Sequence, residues 1–328
     1  MEKRTLGRTG LEVSLLTLGC GAVGGLMPQG DPADQRRTVE LALELGVNFF
    51  DTAPQYGDGR SETNLGRILK DLRPDIVLGT KVRLKPEQKA DPGAAVRQSV
   101  EESLGRLQQD DVDLLQLHNP ISTNPGEGEL SPDQVLQDVV PALEQMKRDG
   151  KTRFIGMTAI GDTEALNTVV EAEAFDTGQI VYNMLNPSSG GPISQDFPGQ
   201  DYDGLLARAK AAGMGAIVIR SVAGGALSGE EDRHPLGMPV VAPIGSGVDY
   251  AADVKRAREL LPAMANSDCE TLVEMAIRYV ASNPDVPTMQ VGIATFDQFR
   301  KAAEATNKGA LSASVLAEIS SVQAGFAA

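Results

Sequence analysis

The sequence predicts an α/β fold in which eight parallel strands close into a (β/α)8 barrel of the TIM-barrel type. Short apolar runs alternate with longer stretches of helical spacing, which is typical of βα units around a parallel sheet. Eight such runs occur, and eight parallel strands usually close into a barrel. The chain has 328 residues and such barrels run from about 200 to over 400, so we expect a single domain over residues 1–328.

The predicted barrel strands are short segments rich in apolar and β-prone residues. In chain order they are Leu15–Leu18, Asn48–Asp51, Ile76–Thr80, Val112–Leu117, Phe154–Met157, Gln179–Tyr182, Gly215–Ile219 and Met289–Gly292. Several of these runs are followed by a polar residue. In a parallel barrel, those polar side chains would meet at one rim.

Proline, serine and glycine mark the ends of the predicted helices. Asp31 precedes a proline at a first helical position, and another Asp-Pro pair opens the second helix. Ser131 occupies an N-cap position, and Gly150 stands where a left-handed residue ends a helix. These signals predict helices over Pro32–Leu45, Pro92–Leu107 and Pro132–Arg148, and a last helix over Ser312–Ala324 outside the barrel.

An N-terminal hairpin is predicted ahead of the first barrel strand. Arg4–Leu6 and Glu12–Ser14 flank Gly7–Gly10, which is typical of a four-residue turn. We expect this hairpin to close the bottom of the barrel.

Two long irregular loops are predicted after the sixth and seventh barrel strands. They cover Asn183–Asp203 and Val222–Val248, and both are rich in glycine, proline and serine. Long loops inside a compact domain are usually functional, so we expect them to contribute to a binding site. The glycine-rich start of the second loop, Val222–Gly229, is a candidate phosphate cradle.

Charge and hydropathy argue against nucleic acid and membranes as partners. The formal net charge of −15 would repel a phosphate backbone and an anionic membrane surface. No run approaches the roughly 18 apolar residues of a membrane span, and the charged start has no apolar segment behind it. Cys20 and Cys269 lie far apart, which fits a reducing compartment better than a disulfide framework. We expect a cytoplasmic protein.

No metal site is expected. The chain contains two histidines, and no pair of histidine, cysteine or carboxylate residues shows zinc-like spacing. One of the histidines, His234, lies in a polar loop rich in proline and glycine, where we expect it to be exposed to solvent.

Four polar residues form the candidate catalytic group. Asp51 ends the second predicted strand, and Lys81 and His118 follow the third and fourth, at the end of the barrel where enzymes of this architecture carry their active sites. Tyr56 follows Asp51 in the same loop. The ammonium of Lys81 should lower the pKa of the tyrosine, while Asp51 should hold that lysine charged.

These four residue types suit the reduction of a carbonyl group or the oxidation of an alcohol. His118 would orient a carbonyl oxygen by hydrogen bonding while Tyr56 gives that oxygen a proton. The carbonyl carbon would then be open to hydride.

The ordered motifs around these residues resemble the aldo-keto reductase family over most of the chain. They are the N-terminal hairpin, Gly46–Ala53, Tyr56-Gly57, Ser61-Glu62, Gly79–Lys81, Ser99–Leu107, Asp113–His118 and Gly150–Gly156. The resemblance implies a (β/α)8 barrel, NADP or NAD as cofactor, and Asp51, Tyr56, Lys81 and His118 as a catalytic tetrad. Within that family, the sequence most resembles the sugar-oxidising branch around galactose dehydrogenases.

The resemblance also implies binding residues for the cofactor and a small carbonyl or sugar substrate. The implied cofactor residues are Gly21, Ala22, Thr158, Gln179, Arg220, Ser221, Ala223, Gly224, Gly292, Ile293, Thr295 and Gln298. Candidate substrate contacts are Val23, Met27, Asn119 and Asn186, with Arg220 also a candidate.

The sequence departs from the family pattern at both ends of the cofactor. Arg220-Ser221 replaces the usual aromatic-serine pair beneath the nicotinamide ring, and Ala159 replaces an asparagine that binds the carboxamide. An arginine plane can stack on a ring but presents a different surface.

At the adenosine end, the usual basic ligands of the NADP phosphate are replaced. The corresponding residues are Gly292, Gln298, Lys301 and Ala302. Arg300 or Lys301 could compensate, so the choice between NADP and NAD stays open.

Two other functions stay open on the sequence. A desolvated Lys81 could act as the nucleophile of a Schiff-base lyase. Alternatively, the barrel could bind nicotinamide as a sensor whose output is contact with a partner. The identity of the substrate, the direction of the reaction and the oligomeric state are left open as well.

Overall fold

The computed structural model describes residues 1–326 of the chain. Its strands are β1 Lys3–Thr5, β2 Glu12–Ser14, β3 Leu16–Gly19, β4 Phe49–Asp51, β5 Val77–Val82, β6 Val112–Leu117, β7 Thr152–Thr158, β8 Thr177–Val181, β9 Gly215–Ile219 and β10 Thr288–Gly292. The helices that open the chain are α1 Leu26–Gln29, α2 Pro32–Glu44, α3 Arg60–Leu72, α4 Pro92–Leu107, α5 Pro132–Gln134, α6 Val140–Arg148 and α7 Thr163–Glu171. The later helices are α8 Leu205–Ala211, α9 Tyr250–Arg258, α10 Leu261–Ala265, α11 Leu272–Ala281, α12 Phe296–Asn307 and α13 Ala313–Ala324.

Strands β3 to β10 form a closed parallel barrel, as predicted. The order around it is β10-β3-β4-β5-β6-β7-β8-β9, and the ring closes because β10 pairs with both β3 and β9. All eight predicted barrel strands are present, with ends that differ by a few residues. The parallel register brings the carboxyl ends of the strands to one rim.

The N-terminal hairpin closes the opposite end of the barrel, as expected. β1 and β2 pair antiparallel, and Leu6 and Val13 pack on interior residues of the barrel in one buried cluster. The connection is longer than the predicted four residues, because Leu6 and Leu11 lie outside the strands and Gly7–Thr9 forms a 3-10 turn. A side chain on Gly7 would meet the barrel backbone, since its Cβ would lie 2.3 Å from the nitrogen of Gly215.

The predicted helix ends are confirmed by their hydrogen bonds. The Asp31 side chain accepts from the nitrogen of Ala33 at 2.8 Å, and the Ser131 hydroxyl accepts from that of Gln134 at 3.2 Å. Gly150 has a φ of +70°, the left-handed conformation expected after a helix. The helices α2, α4 and α13 therefore occupy the predicted segments.

The helix predicted over Pro132–Arg148 is present but is not a regular α-helix throughout. Between α5 and α6, Val135–Val139 forms a π-helical turn. Pro141 explains the irregularity, because its ring would overlap the carbonyl four residues earlier in an α-helix and it has no backbone N–H to donate. A wider π turn relieves that overlap.

The two predicted loops follow β8 and β9. The first contains no helix before α8. The second contains a short 3-10 segment, Ala223–Ser228, and then runs without a helix to α9. Over the described residues, none of the helices combines the length and the apolar character that a membrane crossing requires.

Candidate active site

Asp51 and Lys81 form a buried ion pair at the carboxyl-terminal rim of the barrel. Asp51 is the last residue of β4 and Lys81 is the next-to-last residue of the neighbouring strand β5. The Lys81 ammonium contacts the Oδ1 atom of Asp51, and both side chains are at most 1% exposed. Adjacent parallel strands therefore bring together the two charges that the sequence predicts to interact.

The second carboxylate oxygen of Asp51 is held by two amides. Gln116 Nε2 donates to Oδ2 of Asp51 at 2.8 Å, and Gln179 Nε2 donates to the same oxygen at 3.0 Å. Our sequence reasoning missed Gln116. Side chains alternate along a strand, so a residue two positions before His118 faces the same side, and this period would have identified it.

Lys81 is kept as an ammonium despite its burial. It donates to the carbonyl oxygen of Thr52 at 2.8 Å and to Asp51. Burial lowers the pKa of Lys81, but the Asp51 carboxylate, with a contribution from Tyr56, outweighs burial, and the pKa of Lys81 is raised above its ordinary value. The lysine therefore remains a fixed positive charge next to the tyrosine.

The Tyr56 ring stands over the Lys81 ammonium, 4.9 Å from its centroid to Nζ. We expected Lys81 to lower the pKa of the tyrosine. Lys81 does so, but the larger effect is burial, and the net pKa of Tyr56 is raised. This corrects the expectation: without a bound partner, the phenol keeps its proton more tightly than in water because its anion would be poorly solvated.

His118 lies against Tyr56 and is electrically neutral. The two rings meet edge to face with centroids 5.8 Å apart, and His118 Nδ1 lies 3.1 Å from Oε1 of Gln55. Burial, followed by the positive charges of Lys81 and Arg83, lowers the pKa of His118 to about 3. A neutral imidazole has one N–H, so His118 is suited to donating or accepting a hydrogen bond without carrying charge.

A hydrogen-bond network behind the rim explains the Ser61-Glu62 motif. Ser61 Oγ lies 2.9 Å from the hydroxyl of Thr52 and donates to the carbonyl of Cys20 at 2.8 Å. Glu62 accepts from Thr80 at 2.5 Å and from Arg106 at 2.7 Å, with its side chain fully buried. These contacts tie the loop that carries Tyr56 to the strands that carry Asp51 and Lys81.

The candidate cofactor residues lie at the same rim as the tetrad. They follow β3 (Gly21, Ala22), end β7 (Thr158), lie within β8 (Gln179), follow β9 (Arg220, Ser221, Ala223, Gly224), and end or follow β10 (Gly292, Ile293, Thr295, Gln298). A Cβ on Gly21 would stand 3.8 Å from the Tyr56 ring, and Thr158 donates to Gln179 Oε1 at 3.2 Å. The tertiary structure thus brings residues from five strands, and from the segments that follow them, to one rim of the barrel.

The residues predicted to bind the adenosine end of the cofactor lie at a helix N-terminus. The Thr295 hydroxyl accepts from the nitrogen of Gln298 at 3.2 Å, and Gln298 Oε1 accepts from the nitrogen of Ala294 at 2.6 Å. Arg300 Nη1 donates to Glu304 Oε1 at 2.6 Å, whereas Lys301 is exposed to solvent.

The structure places two of the candidate substrate residues in loop scaffolding. The Asn119 amide exchanges hydrogen bonds with the backbone of Leu84, at 2.8 Å each way. The Asn186 amide donates to the carbonyls of Gln200 and Ile244. Their contact with substrate stays a prediction, and these bonds already use the amide groups.

The other two substrate candidates lie where two loops meet. Met27 is buried in α1, and the carbonyl of Val23 accepts from the nitrogen of Met238 at 3.3 Å. Arg233 adds to this contact, because its Nη2 donates to the carbonyl of Val23 at 3.5 Å while its other nitrogens donate to the carbonyls of Gly224 and Met238 in its own loop. The loop after β9 is thereby held across the loop after β3. As expected, His234 in this loop is exposed.

Comparisons with known proteins agree with this fold. The model of the aldo/keto reductase family matches residues 15–324. L-galactose dehydrogenase of Arabidopsis thaliana is 30% identical over 303 residues, which cover 91% of this chain and 86% of that protein. Aldo-keto reductase YhdN of Bacillus subtilis is 32% identical over 192 residues, which cover 56% of this chain and 55% of that protein.

A solved structure has the same architecture. The holo form of aldo-keto reductase AKR11C1 from Bacillus halodurans matches with a TM-score of 0.74 and 26% identity, covering 98% of this chain and 96% of that one. The family match thus covers nearly the whole sequence, including the strands that form the barrel and its polar rim. This chain belongs to the aldo/keto reductase family.

Proposed function

We propose that this NAD(P)-dependent oxidoreductase interconverts an aldehyde, ketone or sugar and its alcohol, with Tyr56 as the general acid and base. The observation that carries the proposal is the buried pair of Asp51 and Lys81 beside the Tyr56 ring. A fixed ammonium at this position stabilises the phenolate that remains after Tyr56 gives up its proton.

The nicotinamide cofactor, when bound, supplies or accepts the hydride. The residues at this rim fit such a group, since Arg220 has a buried Nη1 atom with no partner within residues 1–326. The raised pKa of Tyr56 keeps the phenol protonated for carbonyl reduction. In the reverse direction Lys81 favours the phenolate that accepts a proton from the alcohol.

His118 would orient the substrate oxygen next to Tyr56. The edge-to-face contact holds the two rings together, and the lowered pKa of His118 keeps the imidazole neutral. A neutral N–H donor polarises a carbonyl without competing with Tyr56 as a proton source. The name of the Arabidopsis relative, L-galactose dehydrogenase, supports a sugar as one substrate class.

We further propose that the protein discriminates weakly between NADP and NAD. Arg300 is already paired with Glu304 and Asp297, so its use for a 2′-phosphate would break existing contacts. Lys301 is the remaining basic candidate at this helix start, and its side chain is solvated.

Nicotinamide fluorescence in a titration with NADPH and NADH tests the proposal directly. We expect both to bind, with dissociation constants within about tenfold of each other, which corresponds to about 1.4 kcal/mol. A panel of aldehydes, ketones and aldoses then tests turnover. Binding of neither cofactor would contradict the proposal.

The lyase function of Lys81 is disfavoured by the structure. A Schiff-base nucleophile must be a neutral amine, whereas Asp51 and Tyr56 raise the pKa of Lys81. Borohydride trapping of a carbonyl substrate on Lys81 would support the lyase instead. A sensor function would be supported by tight cofactor binding without turnover of any carbonyl or alcohol.

A further inference from the structure

A buried polar cluster lies behind the candidate active site, between the barrel and helix α3. Its members are each at most 1% exposed, and they are Thr52, Ser61, Glu62 and Thr80. Side chains alternate along a strand, so Thr80 faces the helices while Lys81 faces the barrel interior. Leu78, two residues earlier on the same outer face, is buried and apolar. A polar cluster in such an apolar layer is costly unless its hydrogen bonds are complete, and a complete cluster holds its members rigidly.

The first part of the cluster fixes an acceptor of Lys81. The carbonyl oxygen of Thr52 accepts from the Lys81 ammonium at 2.8 Å. Ser61 Oγ lies 2.9 Å from the hydroxyl of Thr52 and donates to the carbonyl of Cys20 at 2.8 Å. A hydroxyl has one proton, so Ser61 gives its proton to Cys20 and accepts the proton of Thr52. Ser61 therefore holds the residue whose carbonyl receives the ammonium.

The second part of the cluster fixes the strand that carries Lys81. Thr80, which directly precedes Lys81 in β5, donates to Glu62 Oε1 at 2.5 Å. Arg106 of α4 donates to the other oxygen, Oε2, at 2.7 Å. The side chain of Glu62 is fully buried, whereas that of Arg106 is 27% exposed. The carboxylate thus joins β5 to α4 through both of its oxygens.

Two glycines of the α3 segment allow the ion pair between Glu62 and Arg106. A Cβ on Gly59 would lie 2.7 Å from Cδ of Arg106. A Cβ on Gly66 would lie 2.5 Å from the carbonyl oxygens of Arg106 and Leu107. Residues separated by three and four positions share one face of a helix, as Gly59, Glu62 and Gly66 do. The absence of side chains at 59 and 66 leaves room for Arg106 to reach Glu62.

The same segment also holds the loop of Tyr56. The nitrogen of Ser61 donates to the carbonyl of Tyr56 at 3.2 Å, and the nitrogen of Gly59 donates to that of Pro54 at 2.8 Å. Ser61 is therefore bonded to the residue that carries the phenol and, through Thr52, to the acceptor of the ammonium. The Tyr56 ring centroid lies 4.9 Å from Nζ of Lys81.

We propose that Ser61 and Glu62 are positioning residues, which set the distance between the phenol of Tyr56 and the ammonium beside it. Ser61 acts through Thr52, and Glu62 acts through Thr80. The inference rests on the proposed function of Tyr56 and adds two residues outside the tetrad. Proton transfer requires hydrogen-bond distances, and a displacement of about 1 Å can cost about 100-fold in rate.

Three variants test the two parts of the cluster. Ser61→Ala removes the contact with Thr52, and Thr80→Val removes one hydroxyl at nearly constant volume. Thr80→Ser restores that hydroxyl and serves as the conservative rescue. We expect kcat to fall about 10-fold in Ser61→Ala and Thr80→Val, with KM and the cofactor dissociation constant within about threefold of wild type. Thr80→Ser should recover most of the lost kcat.

The pH profile separates a positioning role from a merely structural one. In alcohol oxidation Tyr56 accepts the proton as a phenolate, so kcat rises with pH through the pKa of this phenol. A Lys81 ammonium that is held less closely stabilises the phenolate less. The rise should therefore move to higher pH in Ser61→Ala and Thr80→Val.

Thr288→Val is the matched control. Thr288 is a fully buried threonine at the first position of β10, and its hydroxyl donates to the carbonyl of Ser14 at 2.8 Å. Its loss should lower stability, as the loss of the Thr80 hydroxyl does, but leave the pH profile of kcat unchanged. Urea unfolding of both variants compares their stability.

Crystal structures of wild type, Thr80→Val and Thr288→Val provide a readout that does not depend on turnover. The distance from the Tyr56 ring to Nζ of Lys81 should lengthen in Thr80→Val only. An unchanged distance, or a pH profile that matches that of Thr288→Val, would overturn the proposal and leave the proposed function intact. Absence of cofactor binding and turnover in wild type would contradict the proposed function, while the crystallographic distance would still test the positioning.

Discussion

Gln116 reaches across β5 to hold Asp51, with its Nε2 atom 2.8 Å from Oδ2 of the carboxylate. The two residues lie on β6 and β4, which are not neighbours in the barrel. Gly79 of β5 lies between them. A Cβ on Gly79 would lie 3.5 Å from the Asp51 oxygen and 3.6 Å from the Gln116 nitrogen. A charge-assisted bond of this kind is stronger than one between neutral groups.

Gln116→Leu should reduce catalysis by allowing the Asp51 carboxylate to move. We expect kcat to fall about 10-fold, as for the loss of one hydrogen bond to a charged group, with KM and cofactor affinity nearly unchanged. The pH profile of kcat should shift as well. Gln290→Leu is the matched control, since Gln290 Nε2 is buried without a partner in the described part of the chain. Equal losses in both variants would refute a positioning role for Gln116.

Tyr56→Phe should abolish turnover without removing the cofactor site. A positioned general acid contributes typically about 10²–10⁴-fold, and phenylalanine keeps the ring that packs on His118. Steady-state rates and nicotinamide fluorescence measure the two effects separately. Wild-type activity in this variant would show that another group delivers the proton.

Lys81→Met should destabilise the folded protein by about 3–5 kcal/mol, because it leaves a buried Asp51 carboxylate without its ion-pair partner. The double variant Lys81→Met with Asp51→Leu removes both charges, and should recover part of the free energy of unfolding. Urea denaturation of the three proteins measures this. A double variant less stable than Lys81→Met would show that the unpaired Asp51 carboxylate is not the cause of the lost stability.

The lowered pKa of His118 predicts a specific loss of stability in acid. The folded value is about 3 against an ordinary 6.5. Between these values the unfolded chain binds more protons than the folded one, so the stability that the neutral imidazole contributes is lost as pH falls from about 6.5 to about 3. Wild type should therefore lose stability more steeply than His118→Gln over this range, as measured by urea unfolding.

Nuclear magnetic resonance checks the same ionisation directly. The chain has two histidines, so a His234→Gln variant leaves His118 as the sole imidazole and makes its signal unambiguous. No titration of that signal is expected between pH 5 and pH 8. A midpoint near the ordinary value would show that His118 is more solvated than the structure indicates.

Gly7→Ala should be far more destabilising than Gly10→Ala. Both glycines have positive φ, so both variants incur the roughly 1–2 kcal/mol of a left-handed alanine. Only at position 7 would the new Cβ overlap the barrel backbone, 2.3 Å from the nitrogen of Gly215, whereas Gly10 has open space. Thermal unfolding of the two variants compares them. Equal losses would mean that the hairpin does not press on the barrel.

The sequence alone was sufficient to predict the barrel and the ends of the four helices that it marked. Strand periods and helix caps are local signals, and the predictions made from them are confirmed where no distant contact opposes them. The helix α4, for example, runs over Pro92–Leu107 as its Asp-Pro start predicted. Pro141 was also visible in the sequence, but its effect, the π-helical turn over Val135–Val139, was not predicted.

The candidate catalytic group was predictable because its residues lie at or shortly after the carboxyl ends of consecutive strands, and parallel strands bring such ends together. Their electrostatics were not predictable. The pKa of Tyr56 is raised because burial exceeds the influence of Lys81, and that balance depends on every atom around the phenol.

What the sequence by itself determined is therefore the architecture and the set of residues at the rim. Only the tertiary structure decided how those residues are used: Gln116 bonds to Asp51, Asn119 bonds to loop backbone, and Arg220 has a buried donor atom without a partner within residues 1–326. The physical reason is the separation along the chain over which each kind of interaction acts. Strand period, capping and turn chemistry act over a few neighbouring residues, whereas burial and charge at the rim arise from segments that are far apart in the chain.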